Sequence, residues 1–284
     1  MKHSLSDGPP AFSLGRLIPT AHSVDLMTKA DELVNEALKK FTSKNFAGAE
    51  TLLHDALALE TDNLLALNNL GHIQLLKKDL DAAAYFLDRA ISIDPDFVPA
   101  ALGRAKVYLA SRAFDEALVT IQSVRENLEE EQRGDFFHII GLVFVGKQDW
   151  DTALNFLEKY VQERPGSLHA LTAVYQTCLN AGYASRALDA LERITIEFPS
   201  ESTPWIQLLN QVRNQGKADR LPAICHRLAE YGEATLPVLN YTAQCCFDAG
   251  CYAYAAWMSQ EAKTRNDGFD RTQFAALAHA ERFL

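Results

Sequence analysis

Cysteine and histidine are the residues of this sequence whose side chains could support metal binding or catalysis. Cys245, Cys246 and Cys251 lie within seven positions of one another. A structural zinc site needs about four ligands at a set spacing, and an adjacent cysteine pair followed by a third cysteine matches no standard zinc pattern. Because reduced cysteine behaves as a small apolar residue, we expect the cysteines to pack in helices and bind no metal, with Cys251 the most exposed.

Two histidines, His138 and His169, fall on helices that are predicted to line one surface. Nucleophilic or acid–base catalysis would also require a nucleophile and an orienting carboxylate in a recognisable arrangement. The sequence has no such arrangement, and it lacks glycine-rich phosphate loops, the H-E-x-x-H metalloprotease motif and the G-x-S-x-G esterase motif. We therefore expect no enzyme activity, no catalytic residue and no cofactor.

A repeat of 34 residues determines where these side chains lie along the chain. Its clearest copy, at 64–97, reads LLALNNLGHIQLLKKDLDAAAYFLDRAISIDPDF. A self-similar period of this length is typical of stacked helical units rather than of a domain built around one central pocket. Only Gln132 and Arg133 fall outside the frame of seven units, here named repeats one to seven: 30–63, 64–97, 98–131, 134–167, 168–201, 202–235 and 236–269.

Small residues recur at two positions of the repeat and predict pairs of closely packed helices. The eighth position holds alanine or glycine in repeats one to four and seven, and the twentieth holds alanine in every repeat except the sixth. Two helices approach closely only where the side chain between them is small. Repeat six has Leu209 and Leu221 at these positions, so we expect its helices to be more widely spaced or shifted in register.

Glycine and proline mark where the predicted helices end. Gly182, Gly216 and Gly250 fall between the two helices of repeats five to seven, where a turn favours a permissive backbone. Prolines close the second helix of repeats two, four and five, and we expect Pro222 in the first turn of the second helix of repeat six. Repeat three lacks a closing proline, so its second helix is expected to be extended or kinked.

The pattern resembles the tetratricopeptide repeat family. The resemblance rests on residues of repeats two and four that occupy the family's positions, namely Leu70, Gly71, Ala83, Leu87, Ala90, Pro95, Gly141, Phe144, Trp150, Ala153, Leu157 and Pro165. It extends over about five-sixths of the chain. The fold that it implies is an all-α, right-handed superhelical solenoid of about seven helix-turn-helix repeats with a C-terminal capping helix.

Both ends of the chain fall outside the seven repeats. Residues 1–22 are interpreted as a flexible N-terminal segment, with a tethered ligand that masks the groove as the alternative. The solenoid is expected to span 23–269, with Ser23 or Asp25 capping a lengthened first helix. Residues 270–284 are expected to form the capping helix, because their apolar residues recur at helical spacing.

Composition and charge limit the classes of partner. The formal net charge is −10 at pH 7, whereas sequence-independent nucleic-acid binding needs a basic surface. No apolar run approaches the roughly 18 residues of a membrane-spanning helix, and the start of the chain does not have the pattern of a signal peptide. We therefore expect a cytoplasmic protein with reduced cysteines that binds no nucleic acid and does not insert into membranes.

The resemblance also implies a binding surface, because the first helices of tetratricopeptide repeats line a concave groove. The side chains expected to face it are mainly amides and imidazoles: Asn35, Asn68, Asn69, His72, Lys106, His138, His169, Gln176, Asn210, Arg213, Asn240 and Gln244. Amides both donate and accept hydrogen bonds, so a row of them suits an extended peptide backbone. The alternative interpretation is that these side chains are solvated polar groups on exposed helix faces.

The function implied by this surface is that of a non-catalytic scaffold or adaptor, which binds a protein or peptide segment in the groove. A clamp for a C-terminal carboxylate, found in some family members, is not expected, because Val34, Leu38 and Pro99 stand where its polar residues should be. Two alternatives stay open. One is a chaperone or assembly factor for a bacterial secretion, pilus or flagellar system, and the other is a self-assembling structural protein.

Overall fold

The computed structural model describes residues 28–231 and 234–265. Within these ranges all regular structure is helical, and the expected all-α fold is confirmed. The helices in chain order are α1 (Lys29–Thr42), α2 (Phe46–Leu59), α3 (Leu64–Lys77), α4 (Leu80–Ile93), α5 (Val98–Ala110), α6 (Phe114–Ser123), α7 (Glu130–Gly146), α8 (Trp150–Glu163), α9 (Leu168–Asn180), α10 (Ala184–Glu197), α11 (Ser202–Asn214), α12 (Leu221–Tyr231), α13 (Leu236–Asp248) and α14 (Tyr252–Thr264). The N-terminal segment 1–22 and the capping helix 270–284 lie outside the described residues, so both stay predictions.

These helices belong to two compact bodies. The N-terminal body ends at Pro165 and contains α1–α8, and the C-terminal body begins at Gly166 and contains α9–α14. Consecutive helices pack as pairs, for example α3 on α4 and α7 on α8. The first helices of neighbouring repeats also contact each other in the N-terminal body, where α5 packs between α3 and α7. This arrangement places the side chains of three successive first helices on one continuous face.

The first helix is shorter at its N-terminus than we expected. It begins at Lys29, because Thr28 accepts a hydrogen bond from the Asp31 amide while the Asp31 carboxylate accepts one from the Thr28 amide. This reciprocal capping box satisfies two N–H groups that would otherwise lack a partner. The expectation that Ser23 or Asp25 caps the helix was therefore wrong, although both residues lie outside the described ranges.

The small residues lie where the paired helices meet, and the geometry shows why size matters there. A Cβ atom added to Gly71 of α3 would lie 2.5 Å from Cγ of Leu87 on α4. The same addition to Gly141 of α7 would lie 2.8 Å from Cγ of Leu157 on α8. Close-packed interiors leave no room for the extra atom, so leucine on one helix fills the space that glycine leaves on the other.

The junction between repeats three and four differs from the expectation. The second helix of repeat three is neither extended nor kinked, because α6 ends at Ser123 and a 3-10 turn follows at Arg125–Asn127. Helix α7 then begins at Glu130, so Gln132 belongs to its first turn. The Gln132 side chain accepts a hydrogen bond from the Glu129 amide at 3.1 Å and so stabilises this earlier start.

Repeat six accommodates its leucines by a change in local structure. A 3-10 turn at Ala218–Arg220 takes the place of the first turn of the second helix, and α12 starts only at Leu221. Leu209 and Leu221 are both buried in the C-terminal body. Pro222 is the second residue of α12, as expected, where its missing N–H would have no helical partner.

The turns inside the repeats require a left-handed backbone in both bodies. Gly182, Gly216 and Gly250 have φ of 74°, 65° and 76°, which confirms their predicted role. The N-terminal body has non-glycine residues in its turns at similar values, namely Lys44, Lys78, Arg112 and Gln148 with φ of 61–63°. A side chain in this region costs free energy that glycine avoids, so the N-terminal turns carry a small strain.

We expect Lys78→Gly to stabilise the N-terminal body by about 0.5 kcal/mol, because the relief of left-handed strain exceeds the entropy that glycine adds to the unfolded chain. Gly182→Ala should destabilise the C-terminal body by about 1 kcal/mol for the opposite reason. The midpoint of urea unfolding measures both changes. Lys40→Gly, placed inside the last turn of α1, is the matched control and should destabilise by about 1 kcal/mol. A Lys78→Gly variant that loses as much as this control would contradict the prediction.

Candidate peptide-binding face

Four of the residues assigned to the groove are buried polar groups in the N-terminal body. Asn68 and Asn69 on α3 are 5% and 9% exposed, and Lys106 on α5 and His138 on α7 are each 3% exposed. His72, one turn after Asn68, is partly exposed, whereas Asn35 on α1 is exposed. The interpretation of these groups as solvated surface residues therefore holds for Asn35 and fails for the four buried side chains.

Three packed helices position these groups. Asn68 and His72 lie on α3, Lys106 on α5, and His138 on α7, which are the first helices of repeats two, three and four. Gly103 of α5 lies beside the His72 ring, since a Cβ atom at Gly103 would be 3.5 Å from His72 Cε1. A residue larger than glycine at position 103 would place its side chain against His72, in the space between α3 and α5.

Asp135, one turn before His138 on α7, is a member of this group that sequence reasoning missed. It is 7% exposed, and its negative charge favours the charged form of Lys106. Burial acts more strongly in the other direction and lowers the pKa of the Lys106 ammonium below its usual value. Asp135 holds the second position of repeat four, one of the positions that face the groove in the family, so the pattern alone could have identified it.

The two histidines of this group have different surroundings. Burial lowers the pKa of His72 to about 3, and the neighbouring Lys106 charge lowers it further in the same direction, so His72 is neutral near pH 7. His138 stacks on the ring of Tyr160 from α8, with centroids 4.6 Å apart and planes at 19°. Tyr160 occupies the repeat position that alanine fills in the first two repeats. The contact between His138 and Tyr160 becomes visible only in the packing of α8 on α7.

Three buried polar atoms of this group have no hydrogen-bond partner within the described structure: Asn68 Oδ1, Asn69 Nδ2 and Asp135 Oδ1. Leaving a buried donor or acceptor unsatisfied costs about 1–3 kcal/mol for each group. Folded proteins rarely keep several such groups together without a use for them. We name Asn68, Asn69, His72, Lys106, Asp135 and His138 the polar face.

In the C-terminal body, several of the residues assigned to the groove make hydrogen bonds with other side chains of the same body. The hydroxyl of Tyr241 on α13 donates a hydrogen bond to Asn210 Oδ1 on α11 at 2.5 Å. The Gln244 amide donates to Asp248 Oδ1 at 2.7 Å, and Asp248 lies 4.0 Å from the Arg213 guanidinium. Their hydrogen-bonding capacity is thus partly used inside the body, through Tyr241 and Asp248, which sequence reasoning did not select.

The remaining candidates of the C-terminal body are less buried than the polar face. Gln176 on α9 is exposed, and His169 and Asn240 are partly exposed. His138 and His169 belong to different bodies. The buried unsatisfied groups thus lie in the N-terminal body.

Residues 74–133, which span the last turn of α3 to the first turn of α7, match the family model described as tetratricopeptide repeat. This segment of the chain is of the tetratricopeptide repeat type. This match includes Lys106 of the polar face, and the helix pairs on either side of it have the same architecture. The tetratricopeptide repeat fold supports a protein–protein interaction scaffold. No curated protein matches the sequence.

Several solved structures have a fold similar to that of this chain. A tetratricopeptide repeat protein from Parabacteroides merdae has 17% identity and a TM-score of 0.50, covering 89% of this chain and 98% of that one. PilW, described as a widely conserved type IV pilus biogenesis factor, has 16% identity and a TM-score of 0.61, covering 72% and 92%. PilF of Pseudomonas aeruginosa has 13% identity and a TM-score of 0.52, covering 88% and 96%. At these identities the likeness shows the fold alone.

The described residues offer neither a metal site nor a membrane-spanning helix. Among residues 28–231 and 234–265, no group of three or more His, Cys, Asp and Glu side chains is arranged to hold a metal ion. In the same ranges no helix combines the length and the apolar character needed to cross a membrane. Cys178, Cys225, Cys245 and Cys246 are buried, and Cys251 is the least buried of the five, as expected.

Proposed function

We propose that the polar face binds an extended peptide or protein segment and that the protein acts as a non-catalytic scaffold or adaptor. The observation that carries the proposal is the presence of three buried unsatisfied atoms, Asn68 Oδ1, Asn69 Nδ2 and Asp135 Oδ1, on the two first helices α3 and α7 that flank α5. A partner that supplies the missing hydrogen bonds recovers free energy that the protein alone forgoes. The bound state is thereby favoured without any chemical step.

The types of these atoms favour a backbone segment as ligand. Asn68 offers an acceptor and Asn69 a donor, which complement the N–H and C=O groups that recur along an extended chain. The single charges of Lys106 and Asp135 balance each other, and His72 stays neutral, so the polar face has little net charge. This balance suits an uncharged stretch of peptide better than a terminal carboxylate.

The proposal is tested by affinity capture from the native cell followed by mass spectrometry. We expect one dominant protein to be captured by the wild type and lost, by at least tenfold, with Asn68→Ala/Asn69→Ala/His72→Ala. The matched control is Gln122→Ala/Asn155→Ala, which removes two exposed amides from second helices and should retain the partner. Equal capture by all three proteins would place the binding site elsewhere on the chain.

The second candidate is an assembly factor or chaperone for a bacterial pilus, secretion or flagellar system, acting in the cytoplasm. It is supported by the solved structure of PilW, described as a type IV pilus biogenesis factor, which shares the fold. A chaperone would co-purify with one client and keep that client in solution. A self-assembling protein would instead increase in mass with concentration in light scattering, whereas an adaptor would keep one size.

A further inference from the structure

Two buried cysteines meet in the C-terminal body. Cys225 of α12 and Cys246 of α13 are both fully buried, and their Sγ atoms are 3.6 Å apart. One thiol donates a hydrogen bond to the other. A disulfide brings two sulfur atoms to about 2.0 Å, so the bond would require them to approach by about 1.6 Å.

We propose that Cys225 and Cys246 form an oxidisable pair, in which a low-molecular-weight disulfide such as oxidised glutathione converts the two thiols into a disulfide that joins α12 to α13. In the first step one protein thiolate attacks the small disulfide, which gives a mixed disulfide and releases one small thiol. The second protein thiolate then attacks the protein sulfur of the mixed disulfide and releases the second small thiol. The protein loses two protons and two electrons in total, and one small disulfide is reduced to two thiols.

The neighbouring cysteines are less suitable for this bond. Cys245 precedes Cys246 in the same helix, so it projects from another side of α13, where its thiol interacts with the Tyr241 hydroxyl. Cys178 lies on α9, away from α12 in the sequence of helices. Cys251 follows α13 in the turn and is only partly buried. The geometry therefore selects the pair of Cys225 and Cys246.

The surroundings of Cys225 and Cys246 allow oxidation only when α12 opens and exposes the two thiols. The hydrogen bond between Cys246 and Cys225, together with burial, raises the pKa of the Cys246 thiol above its usual value. Because the thiolate is the reactive form, the closed structure protects both sulfurs from reagents in the solvent. Reaction requires α12 to open locally, which is eased by its short length of 11 residues and by the 3-10 turn before it.

Oxidation would make the C-terminal body more resistant to unfolding. A bond between positions 225 and 246 closes a covalent loop that includes the end of α12 and most of α13. Such a loop restricts the unfolded chain and opposes the opening of α12. The pair thus provides a means by which the thiol–disulfide balance of the compartment sets the stability of repeats six and seven.

The test compares the full chain after incubation with oxidised and with reduced glutathione. We expect oxidation to remove two alkylatable thiols per chain and to yield a cross-linked peptide that contains Cys225 and Cys246. The melting temperature followed by circular dichroism should rise by about 5 °C and return to its starting value with dithiothreitol. Cys225→Ala should abolish both changes, and Cys178→Ala, which removes another buried cysteine, should retain both.

Three outcomes would overturn the proposal. These are an unchanged thiol count after incubation a few degrees below the melting midpoint, a mapped bond between any other cysteines, and a bond between two chains. If Cys225→Ala fails to fold, Cys225→Ser replaces it. The peptide map of the wild type decides the pairing without any variant.

Discussion

We expect His72→Gln to make the N-terminal body much less sensitive to acid than the wild type. Burial and the Lys106 charge lower the pKa of His72 to about 3 in the folded state, whereas an unfolded histidine titrates near pH 6.5. The unfolded state therefore binds the proton first as the pH falls. Stability from the neutral histidine is fully present above pH 6.5 and is lost between pH 6.5 and about 3.

The size of this effect follows from the difference between the two pKa values. One pKa unit corresponds to about 1.4 kcal/mol, so His72 alone should reduce the free energy of unfolding by about 3 kcal/mol between pH 7 and pH 4. Glutamine carries no proton in this range and has no such loss. Urea unfolding of wild type and variant at both pH values isolates the contribution, because the other titrating groups are common to both.

His54→Gln is the control for this experiment, since His54 is an exposed histidine on α2 of the same body. It should lose as much stability between pH 7 and pH 4 as the wild type. If His72→Gln lost as much as well, the histidine would titrate normally in the folded protein. Its ring would then be hydrated, contrary to the packing between α3 and α5.

The second large effect is expected for Trp205→Ala, which should destabilise the C-terminal body by about 4 kcal/mol. Trp205 on α11 is 1% exposed, and its indole N–H donates a hydrogen bond to the Pro199 carbonyl at 2.9 Å. The substitution removes the largest fully buried side chain among the described residues and leaves both a cavity and an unsatisfied carbonyl. The Arg227 guanidinium, 5.8 Å from the ring centroid, also loses its contact.

Urea unfolding of the variants separates these contributions. Trp205→Phe keeps most of the packing and loses the hydrogen bond, so it should cost about 1–2 kcal/mol. Trp257→Ala is the matched control, because Trp257 on α14 is a partly exposed tryptophan in the same body and should cost about half as much as Trp205→Ala. Equal losses for Trp205→Ala and Trp257→Ala would show that burial at α11 does not govern the stability of this body.

The helices could be predicted from the sequence because their determinants are local. Gly71 and Gly141 mark close helix contacts, and Gly182 marks a turn, through steric requirements that each residue imposes on its own surroundings. The expectations failed at α6, where the absence of a proline did not extend the helix. Helix ends depend on side-chain caps such as Glu129 with Gln132, which compete with the general pattern.

The polar face could be located only in part. The repeat register selected Asn68, Lys106 and His138 because it determines which positions share a helix face. It assigned the same role to Asn35 and Gln176, which the structure shows to be exposed. The position of a residue in the repeat specifies the face of its own helix on which its side chain lies. Whether that side chain is buried depends on how closely the neighbouring helices approach.

The helical repeat, the turns and the set of side chains on the first helices could be read from the amino-acid pattern, because these features follow from periodicity and residue size. Which polar groups are buried, and which residues from distant positions meet, depends instead on how the helices pack. The charge of Asp135 beside Lys106 and the contact between Cys225 and Cys246 belong to this second class. The physical reason is that such contacts join separate helices, and their distances depend on the packing of every side chain between them.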